Sequence, residues 1–340
     1  MNCFGWNCRG AGNKPTVHDL VAMVAATKAR LVFLCETRQK ANKVRRLRNR
    51  LGLRGFCGVD SDGLSGGLAL FWCDEMSKSI SDRHIDAHIQ ISPNDPVWRL
   101  TCVYGEPRME DRHRMWTLLQ NLKSQSVLPW CVFGDFNETM WSFEHFSIRA
   151  RPEPQMLAFR DVLEICELID LGFSGVPYTY DNRRSGRCNV KVRLDRAVAD
   201  NRWRNMFTEA RVVHQVSPYS DHSPILLPCE WEDCMPTRTN QRRYEIMWER
   251  EASLSELISN LWAEAGTKRN LGDISKALDK TMKGLHSWSK NHFGKITCEL
   301  NLCRSKLDEL MHMNADHQEI RNVTDRMNEL LYREEMMWLQ

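Results

Sequence analysis

The stretch CVFGDFNE, residues 131–138, changes within a few positions from an apolar run to acidic and amide side chains. Successive side chains of a strand point to opposite faces, so we expect Asp135 and Asn137 to share one face. Phe136 should then pack in the core, and Glu138 should face solvent. Because glycine, aspartate and asparagine are common turn formers, the stretch alone indicates no more than an ordinary strand end.

Three other apolar runs also end on polar groups. FGWN ends at Asn7, LVFLCE at Glu36 and LTCVY at Tyr104. Layered α/β domains gather strand ends at one edge, where loops build sites on a rigid scaffold. One polar strand end means little, but the four together predict a shared polar site at such an edge.

Two further segments add an acid–base pair. SPYSDHSPILL places Ser220, Asp221 and His222 directly before a short apolar strand, and VRLD ends another short strand at Asp195. A lone histidine more often has no catalytic duty, but this one has Asp221 beside it. Asp195 could hydrogen-bond the imidazole and fix its tautomer, which makes His222 a candidate general acid or base.

Short apolar runs alternate with amphipathic segments up to about residue 230, which predicts a layered α/β domain. The predicted strands are 2–7, 31–36, 67–72, 98–104, 130–135, 189–195 and 224–229, and the predicted helices are 16–29, 38–51, 110–126 and 155–168. The length of 340 residues suggests about two domains. The polar run PTRTNQRR predicts a linker within residues 231–245.

Residues 246–340 change to a helical pattern. Apolar residues recur with heptad spacing over 296–310 and 320–330, which predicts two helices with a turn at Asn314–Asp316. We expect a structural helical hairpin without chemistry of its own. Its heptads over 296–337 could pair within the chain or with a second copy.

Composition argues against several classes of protein. The thirteen cysteines are scattered singly without a CxxC pair, which argues against a zinc knuckle and indicates reduced thiols of an intracellular protein. The start MNCFGWNCRG lacks a signal-peptide pattern, and no apolar run approaches the roughly 18 residues of a membrane span. With a formal charge of +3, any attraction to polyanions must come from local basic patches. We therefore expect a soluble protein without a membrane partner.

The chemical inventory favours metal-assisted phosphodiester hydrolysis. The patterns GxxxxGK[ST] and GxSxG are absent, which argues against a nucleotide triphosphatase and a serine hydrolase. Carboxylates and amides without a compact His/Cys cluster favour Mg²⁺ over zinc. Such a metal can clamp a phosphate oxygen while a carboxylate or histidine prepares a water for attack.

Six motifs in this order carry a family resemblance: WNCRG, FLCETR, VYGEP, VFGDFNE, RLDRAVAD and SDHSPI. Over residues 2–230 the chain resembles the endonuclease/exonuclease/phosphatase superfamily, and more closely the apurinic-type endonuclease domain of plant LINE-type (non-LTR) retrotransposon polyproteins. The resemblance implies a four-layered α/β sandwich, in which helices flank two packed mixed sheets. A weaker likeness through YEIMWERE and WSKNHFGKI implies that residues 246–340 are the helical connector toward reverse transcriptase.

The resemblance also implies roles for the polar groups. Asn7 and Glu36 would sit at Mg²⁺, with Mn²⁺ as a possible substitute, and Asp221 would support the metal. Tyr104 and Asn137 would hydrogen-bond the phosphate.

The remaining catalytic roles belong to three residues. Asp135 would orient or deprotonate the attacking water, His222 would stabilise the pentavalent phosphorus, and Asp195 would orient His222. The division of work between Asp135 and His222 stays open.

The segment PYTYDNRRSGRCNVKVRLD indicates a β-hairpin with a basic tip. A charge run is most often a solvated surface. In similar retrotransposon endonucleases, however, this hairpin contacts DNA, and the implied DNA-binding residues are Thr179, Arg183, Arg184, Arg187 and Ser220. Phosphate contacts of this kind weaken as salt rises.

The leading hypothesis is a Mg²⁺-dependent DNA endonuclease of the nucleus. It would nick one strand and leave a 3′-hydroxyl for target-primed reverse transcription. A phosphatase acting on inositol phosphates or sphingomyelin is an alternative, because the shared fold hosts many substrates. A transposon-derived nucleic-acid-binding module without activity is another. The chain has no adjacent Asp-Asp pair, so we expect no reverse transcriptase within it.

Overall fold

The computed structural model describes residues 1–63, 65–73, 77–90, 93–229, 253–266, 271–313 and 317–339. The chain divides into two compact units, one made mainly of residues 1–232 and the other mainly of residues 233–340. The predicted linker, residues 231–245, lies outside the described residues, and its position stays a prediction.

Strands of the first unit follow one another closely along the chain. They are β1 (Asn2–Asn7), β2 (Leu31–Cys35), β3 (Gly55–Asp62), β4 (Ser65–Trp72), β5 (Ser77–Ile80), β6 (His84–Ile89), β7 (Trp98–Tyr104), β8 (Trp130–Asp135), β9 (His145–Phe146), β10 (Ile169–Asp170), β11 (Phe173–Ser174), β12 (Tyr180–Asp181), β13 (Lys191–Val192), β14 (Asp195–Ala199), β15 (Val212–His214) and β16 (Ile225–Pro228). The helices between them are α1 (Lys14–Thr27), α2 (Ala41–Val44), α3 (Leu47–Arg50), α4 (Arg112–Ser124), α5 (Glu153–Ile165) and α6 (Asn201–Met206).

These strands form two large mixed sheets and a small third one. The first sheet has the order β11-β15-β16-β1-β2-β4-β3, and the second has the order β10-β14-β8-β7-β6-β5. In the first sheet β1 pairs with β2 in parallel and with β16 in antiparallel orientation. In the second, β8 pairs with β7 in parallel and with β14 in antiparallel orientation. The small sheet has the order β12-β13-β9.

Buried side chains of this unit form three clusters that define four layers. Phe33 and Phe133, which come from opposite sheets, lie in one cluster between the sheets. Val32, the neighbour of Phe33, points to the other face and lies in a cluster with Leu20 of α1. Side chains of α4 and α5 pack with the outer face of the second sheet, among them Phe159. The structure therefore confirms the predicted sandwich of two mixed sheets flanked by helices.

The predicted helix 38–51 is wrong, because the structure has two short helices there, α2 and α3. Six Lys and Arg side chains lie within residues 40–50 without an acidic residue among them. Like charges three or four positions apart destabilise a continuous helix, and here they repeat along its whole length.

The predicted strand 189–195 is also wrong. Gly186–Cys188 form a turn of 3-10 helix, β13 covers two residues, and β14 begins at Asp195. The ladder is interrupted because the Thr179 hydroxyl accepts hydrogen bonds from the backbone N–H groups of Leu194 and Asp195, each at 2.9 Å. Asp195 therefore begins a strand instead of ending one.

The second unit contains three helices among its described residues: α7 (Leu254–Glu264), α8 (Leu271–His312) and α9 (His317–Leu339). Leu254 of α7 and Leu285 of α8 are buried together, with partly buried apolar neighbours from both helices around them. The two predicted heptad helices lie within α8 and α9, and the predicted turn at Asn314–Asp316 is outside the described residues. None of the described helices is long and apolar enough to cross a membrane.

Several heptad residues of α8 and α9 are buried within a single copy of the chain. Leu300 and Leu307 of α8 and Met327 and Leu330 of α9 are each at most 3% exposed. An ion pair also joins the two helices, since Arg326 Nη2 lies 2.7 Å from an oxygen of Glu299. Self-association through residues 296–337 is therefore not supported.

Candidate active site

Polar side chains from both large sheets meet at one edge of the sandwich. Asn7 ends β1, and Glu36 directly follows the parallel strand β2, whose Cys35 pairs with Asn7. In the second sheet Tyr104 and Asp135 pair at the ends of the parallel strands β7 and β8. The sheets pack face to face, so the two pairs of strand ends come together.

Asn7 connects the two sheets within this cluster. Its Nδ2 donates hydrogen bonds to Glu36 Oε1 at 3.2 Å and to Asp135 Oδ2 at 3.0 Å. Tyr104 Oη donates to the same Glu36 oxygen at 2.9 Å. All four residues are buried. The first four strand ends considered in the sequence thus form one hydrogen-bonded network.

Two arginines neutralise the carboxylate of Glu36. Arg9 Nε lies 3.2 Å and Arg38 Nη2 lies 2.8 Å from Glu36 Oε2. Burial would raise the pKa of Glu36, but Arg38, Arg9 and the neutral donors Asn7 and Tyr104 outweigh burial and lower this pKa to about 2. Glu36 is therefore a carboxylate at any physiological pH.

Arg9 also reaches the loop that precedes the last strand of the first sheet. Its Nη1 donates to Asp221 Oδ2, so one guanidinium bridges the carboxylates of Glu36 and Asp221. Sequence reasoning missed Arg9 and Arg38. The available signal was their place inside the motifs WNCRG and FLCETR, in which the amide of Asn7 and the carboxylate of Glu36 were the only groups predicted to act.

Several residues of the cluster have left-handed backbone conformations. The φ angles of Arg9, Glu36, Arg38 and Asn137 lie between 45° and 55°. Non-glycine residues rarely adopt this region, and they do so most often where the surrounding structure holds a functional site in place. The contacts around the turns after β1, β2 and β8 therefore hold these residues in backbone conformations that they would rarely adopt alone.

The GDFN turn shows why a glycine precedes Asp135. Gly134 has a φ of 137°, and a Cβ there would lie 2.3 Å from the carbonyl oxygen of Val103 on the neighbouring strand. Asn137 N donates to Asp135 Oδ1 at 2.8 Å, which closes the turn, and Asn137 Nδ2 lies 3.3 Å from Asp135 Oδ2. Phe136 is fully buried in the core, as predicted.

The expectation that Glu138 faces solvent is wrong. Glu138 is 1% exposed and pairs with Arg151 at 2.8 Å and with Arg112. Arg112 begins α4, and Arg151 precedes α5, so the two ion pairs connect the starts of both helices to Glu138. Glu138 therefore fixes the loop that follows Asn137.

His222 and Asp195 form a buried pair next to Asp135. His222 Nδ1 lies 2.9 Å from Asp195 Oδ2 and 3.9 Å from Asp135 Oδ2. Burial would lower the pKa of His222, but the charges of Asp195 and Asp135 raise it to about 9. Burial and the charge of Asp195 raise the pKa of Asp135 to about 6. The arrangement can hold an imidazolium between two carboxylates at neutral pH.

Two predicted DNA-binding residues make hydrogen bonds within the protein. The Thr179 hydroxyl accepts from the backbone where β14 begins and so positions Asp195. Ser220 Oγ donates to the carbonyl oxygen of Asn7 at 2.7 Å and accepts from the backbone N–H of His222 at 3.1 Å. Both side chains are buried and link the strands that carry the site.

The basic hairpin forms as predicted, with β12 and β13 paired in antiparallel orientation. Arg183 donates to the carbonyl oxygens of Ser217, Pro218 and Ser220, which joins the hairpin to the loop before His222. Arg184 and Arg187 lie at the exposed tip. Contacts of these arginines with DNA stay predictions.

Two oxygen atoms of the cluster are suited to a metal ion. Asn7 Oδ1 and Asp221 Oδ1 are buried and have no hydrogen-bond partner in the described part of the chain. With the carboxylate of Glu36 they would make a set of oxygen donors, which Mg²⁺ prefers. A second set, Asp135, Asp195 and His222, has ligand atoms within 4.8 Å of one another.

The fold and this cluster define a layered α/β protein whose polar site lies at its strand ends. Residues 4–222 match the Endonuclease/Exonuclease/phosphatase family, and the chain belongs to this family. No curated protein sequence matches the chain.

Solved structures of several nucleases share the fold. The AP endonuclease LMAP from Leishmania major superimposes with a TM-score of 0.53 at 16% identity, over 67% of this chain and 86% of that chain. An AP endonuclease from Archaeoglobus fulgidus gives 0.56 at 16% identity, over 68% and 99%. The endonuclease domain of TRAS1, a telomere-specific non-LTR retrotransposon, gives 0.51 at 16% identity, over 68% and 100%. At such low identities the similarity concerns the fold.

Proposed function

We propose that the protein is a divalent-metal-dependent endonuclease that hydrolyses phosphodiester bonds of DNA. The observation that carries this proposal is the link from Glu36 through Asn7 to Asp135, which lies next to the His222–Asp195 pair. Carboxylates, an amide and an imidazole thus meet in one place, where they can hold a metal ion and prepare a water for attack on a phosphate. Membership of the endonuclease/exonuclease/phosphatase family supports this chemistry.

Glu36, Asn7 and Asp221 would hold the ion, Mg²⁺ or Mn²⁺. Two of these residues contribute a buried oxygen without a partner in the described part of the chain, and the ion would compete with the guanidinium of Arg9, which bridges Glu36 and Asp221. The bound ion would supply Lewis-acid stabilisation of charge on the phosphate. The alternative set around His222 is less suitable, because a histidine with a raised pKa keeps the proton that a metal must displace.

Protein groups would carry the proton chemistry. Asp135 would orient an attacking water or accept its proton, and the imidazolium of His222 would stabilise charge on the phosphorane. Asp195 would fix the tautomer and orientation of His222, which it contacts at 2.9 Å. Asn137 would donate a hydrogen bond to a phosphate oxygen, and Tyr104 would do so by turning its O–H away from Glu36, to which it donates in the structure.

DNA is the proposed substrate because basic side chains lie next to the site. The hairpin tip with Arg184 and Arg187 belongs to the small sheet, whose Tyr180 makes a β-bridge with His222. One structural neighbour is the endonuclease domain of a non-LTR retrotransposon. We propose a LINE-type role, in which a nick leaves a 3′-hydroxyl for target-primed reverse transcription. In this role the protein would act on chromosomal DNA in the nucleus. The helices α7 to α9 would serve as the connector toward reverse transcriptase.

Nicking of supercoiled plasmid tests the proposal. The purified protein should relax the plasmid with Mg²⁺ and not with EDTA, and Asp135→Ala or His222→Ala should abolish relaxation. Val127→Ala is the matched control, since Val127 is 84% exposed and lies outside the cluster. Equal relaxation by wild type and both site variants would contradict the proposal. Release of phosphate from a small ester with the plasmid untouched would favour a phosphatase.

A further inference from the structure

One surface segment of the first unit exposes apolar side chains to an unusual degree. Within residues 141–148, which we call the aromatic segment, Phe143 is 75%, Phe146 is 54% and Ile148 is 68% exposed. Single exposed apolar residues are normal on a protein surface, but contiguous groups mark binding sites. The segment follows the GDFN turn in the chain and takes no part in the proposed chemistry.

The aromatic segment is held rigidly in spite of its exposure. Glu144, which lies between the two phenylalanines, is buried and pairs with Arg193 and Arg196, each at 2.9 Å. Its carboxylate also accepts from the backbone N–H of Met140 at 2.7 Å. Because the buried Glu144 already fixes the backbone between the two phenylalanines, little conformational entropy is lost there when a ligand binds. The flanking rings are therefore preorganised.

Strand pairing connects this segment to the active site. β9, which contains Phe146, pairs with β13, β13 pairs with β12, and Tyr180 of β12 makes a β-bridge with His222. Neighbouring strands are about 4.8 Å apart, so three steps place the backbone of Phe146 roughly 14 Å from that of His222. This separation corresponds to a few nucleotides along a nucleic-acid strand.

The register of the small sheet also separates its two faces. Phe146 lies opposite Lys191, whereas the next pair of the register contains the buried Val192. Because adjacent residues point to opposite faces, the Phe146 ring shares its face with the side chain of Lys191, whose ammonium lies 3.6 Å from a carboxylate oxygen of Asp181. β13 also pairs with β12, and the hairpin tip that joins these two strands carries the exposed Arg184 and Arg187. β13 therefore connects the strand of the exposed Phe146 ring to the hairpin that carries the two exposed arginines, which matches an anionic ligand with flat apolar groups.

We propose that Phe143 and Phe146 stack on unpaired bases that flank the scissile phosphate, while the basic residues of the hairpin contact the backbone. The proposal rests on the proposed function and adds a substrate class, DNA with a single-stranded flank near the cut. Base faces inside an undistorted duplex are covered by their neighbours, so unpaired bases offer a phenyl ring a stacking face without the cost of unstacking a base pair.

Binding without cleavage tests the inference. Fluorescence anisotropy in EDTA would compare a labelled blunt duplex with the same duplex carrying a single-stranded flank. The wild type should bind the flanked DNA more tightly, and Phe143→Ala/Phe146→Ala should weaken that binding about tenfold or more while affecting the blunt duplex little. Leu157→Ala/Ile165→Ala on α5, which removes two other exposed apolar side chains, should change neither affinity.

Three outcomes would overturn the inference. In the first, the Phe143→Ala/Phe146→Ala variant binds both DNA ligands as tightly as the wild type. In the second, this variant loses the same affinity for both ligands. In the third, the wild type binds the flanked and the blunt duplex equally tightly. Phe143→Trp/Phe146→Trp should restore the preference, which separates stacking from a loss of folding. The binding assay needs no catalysis, so absent nicking together with a retained flank preference would reject the proposed function alone.

Discussion

His222 Nδ1 lies 2.9 Å from Asp195 Oδ2, and the two side chains are buried where β14 begins beside the end of β8. Because Thr179 holds the backbone N–H of Asp195, this carboxylate has a fixed position beneath the imidazole. The second carboxylate near His222, that of Asp135, is 3.9 Å away and is bonded instead to Asn7. One acid therefore orients the histidine, and the other is turned toward the metal-binding groups.

Asp195→Asn should lower both the pKa of His222 and the rate of nicking. The substitution keeps the shape of the side chain and removes the nearer negative charge that raises the pKa of His222. We expect a loss of nicking rate of about 10²-fold, the usual scale for a positioned acid or base. NMR titration of the imidazole gives the pKa, and single-turnover nicking gives the rate. An unchanged pKa with full activity would refute the orienting role.

The pH profile of nicking should have two limbs. Asp135, with its pKa raised to about 6, must lose its proton to serve as a base, so the rate should rise as pH passes about 6. His222, with its pKa raised to about 9, loses its proton above that value, so the rate should fall there. Because the groups interact, both transitions belong to the cluster as a whole. Single-turnover rates from about pH 5 to about pH 10 measure the profile.

A profile that falls as pH rises through 6 would contradict this assignment. Asp195→Asn provides an internal check, because it should move the upper limb to lower pH.

Arg9→Ala should tighten the binding of Mg²⁺ or Mn²⁺. The guanidinium bridges Glu36 and Asp221, so an arriving cation competes with it for both carboxylates. Removal of this competitor should increase metal affinity roughly two- to tenfold, as measured by calorimetry in the absence of DNA. Arg45→Ala, in the basic run of α2 and α3, is the matched control and should change nothing. Weaker metal binding by Arg9→Ala would place the ion elsewhere.

Glu138→Gln should destabilise the fold without removing a catalytic group. The substitution leaves Arg112 and Arg151 facing a neutral partner in a buried place. Loss of one partner from a buried ion pair typically costs about 3–5 kcal/mol of unfolding free energy. Urea denaturation would measure the loss. Glu153→Gln is the matched control, because Glu153 also pairs with an arginine, Arg160, but its carboxylate is largely exposed. This control substitution should cost less than about 1 kcal/mol of unfolding free energy. Equal effects of the two variants would contradict the structural role of Glu138.

The polar strand ends could be predicted because their signal is local. Asn7, Glu36, Tyr104 and Asp135 each follow an apolar run that is buried on both faces, and such runs are read directly from the sequence. Parallel pairing of β1 with β2 and of β7 with β8 then brings their ends to one edge. The alternation of strands and helices predicted the layered α/β class, and the four-layered sandwich followed from the family resemblance.

The missed features depend on partners that are distant in the chain. The burial of Glu138 requires Arg112 and Arg151, which are 26 and 13 residues away. Arg9 looks like a surface charge until Asp221, 212 residues later, lies beside it. β3 went unpredicted because its glycine and aspartate residues have low strand propensity, and pairing with β4 overrides that propensity.

A double-variant cycle of nicking rates tests most directly that the strand ends of both sheets act as one hydrolytic site. Glu36→Gln and His222→Ala should each reduce the single-turnover rate at least about 10²-fold, and the double variant should be little slower than the slower single variant, because groups that act as a unit lose their effect together. Losses that multiply in the double variant, or a Glu36→Gln enzyme with the wild-type rate, would contradict the account.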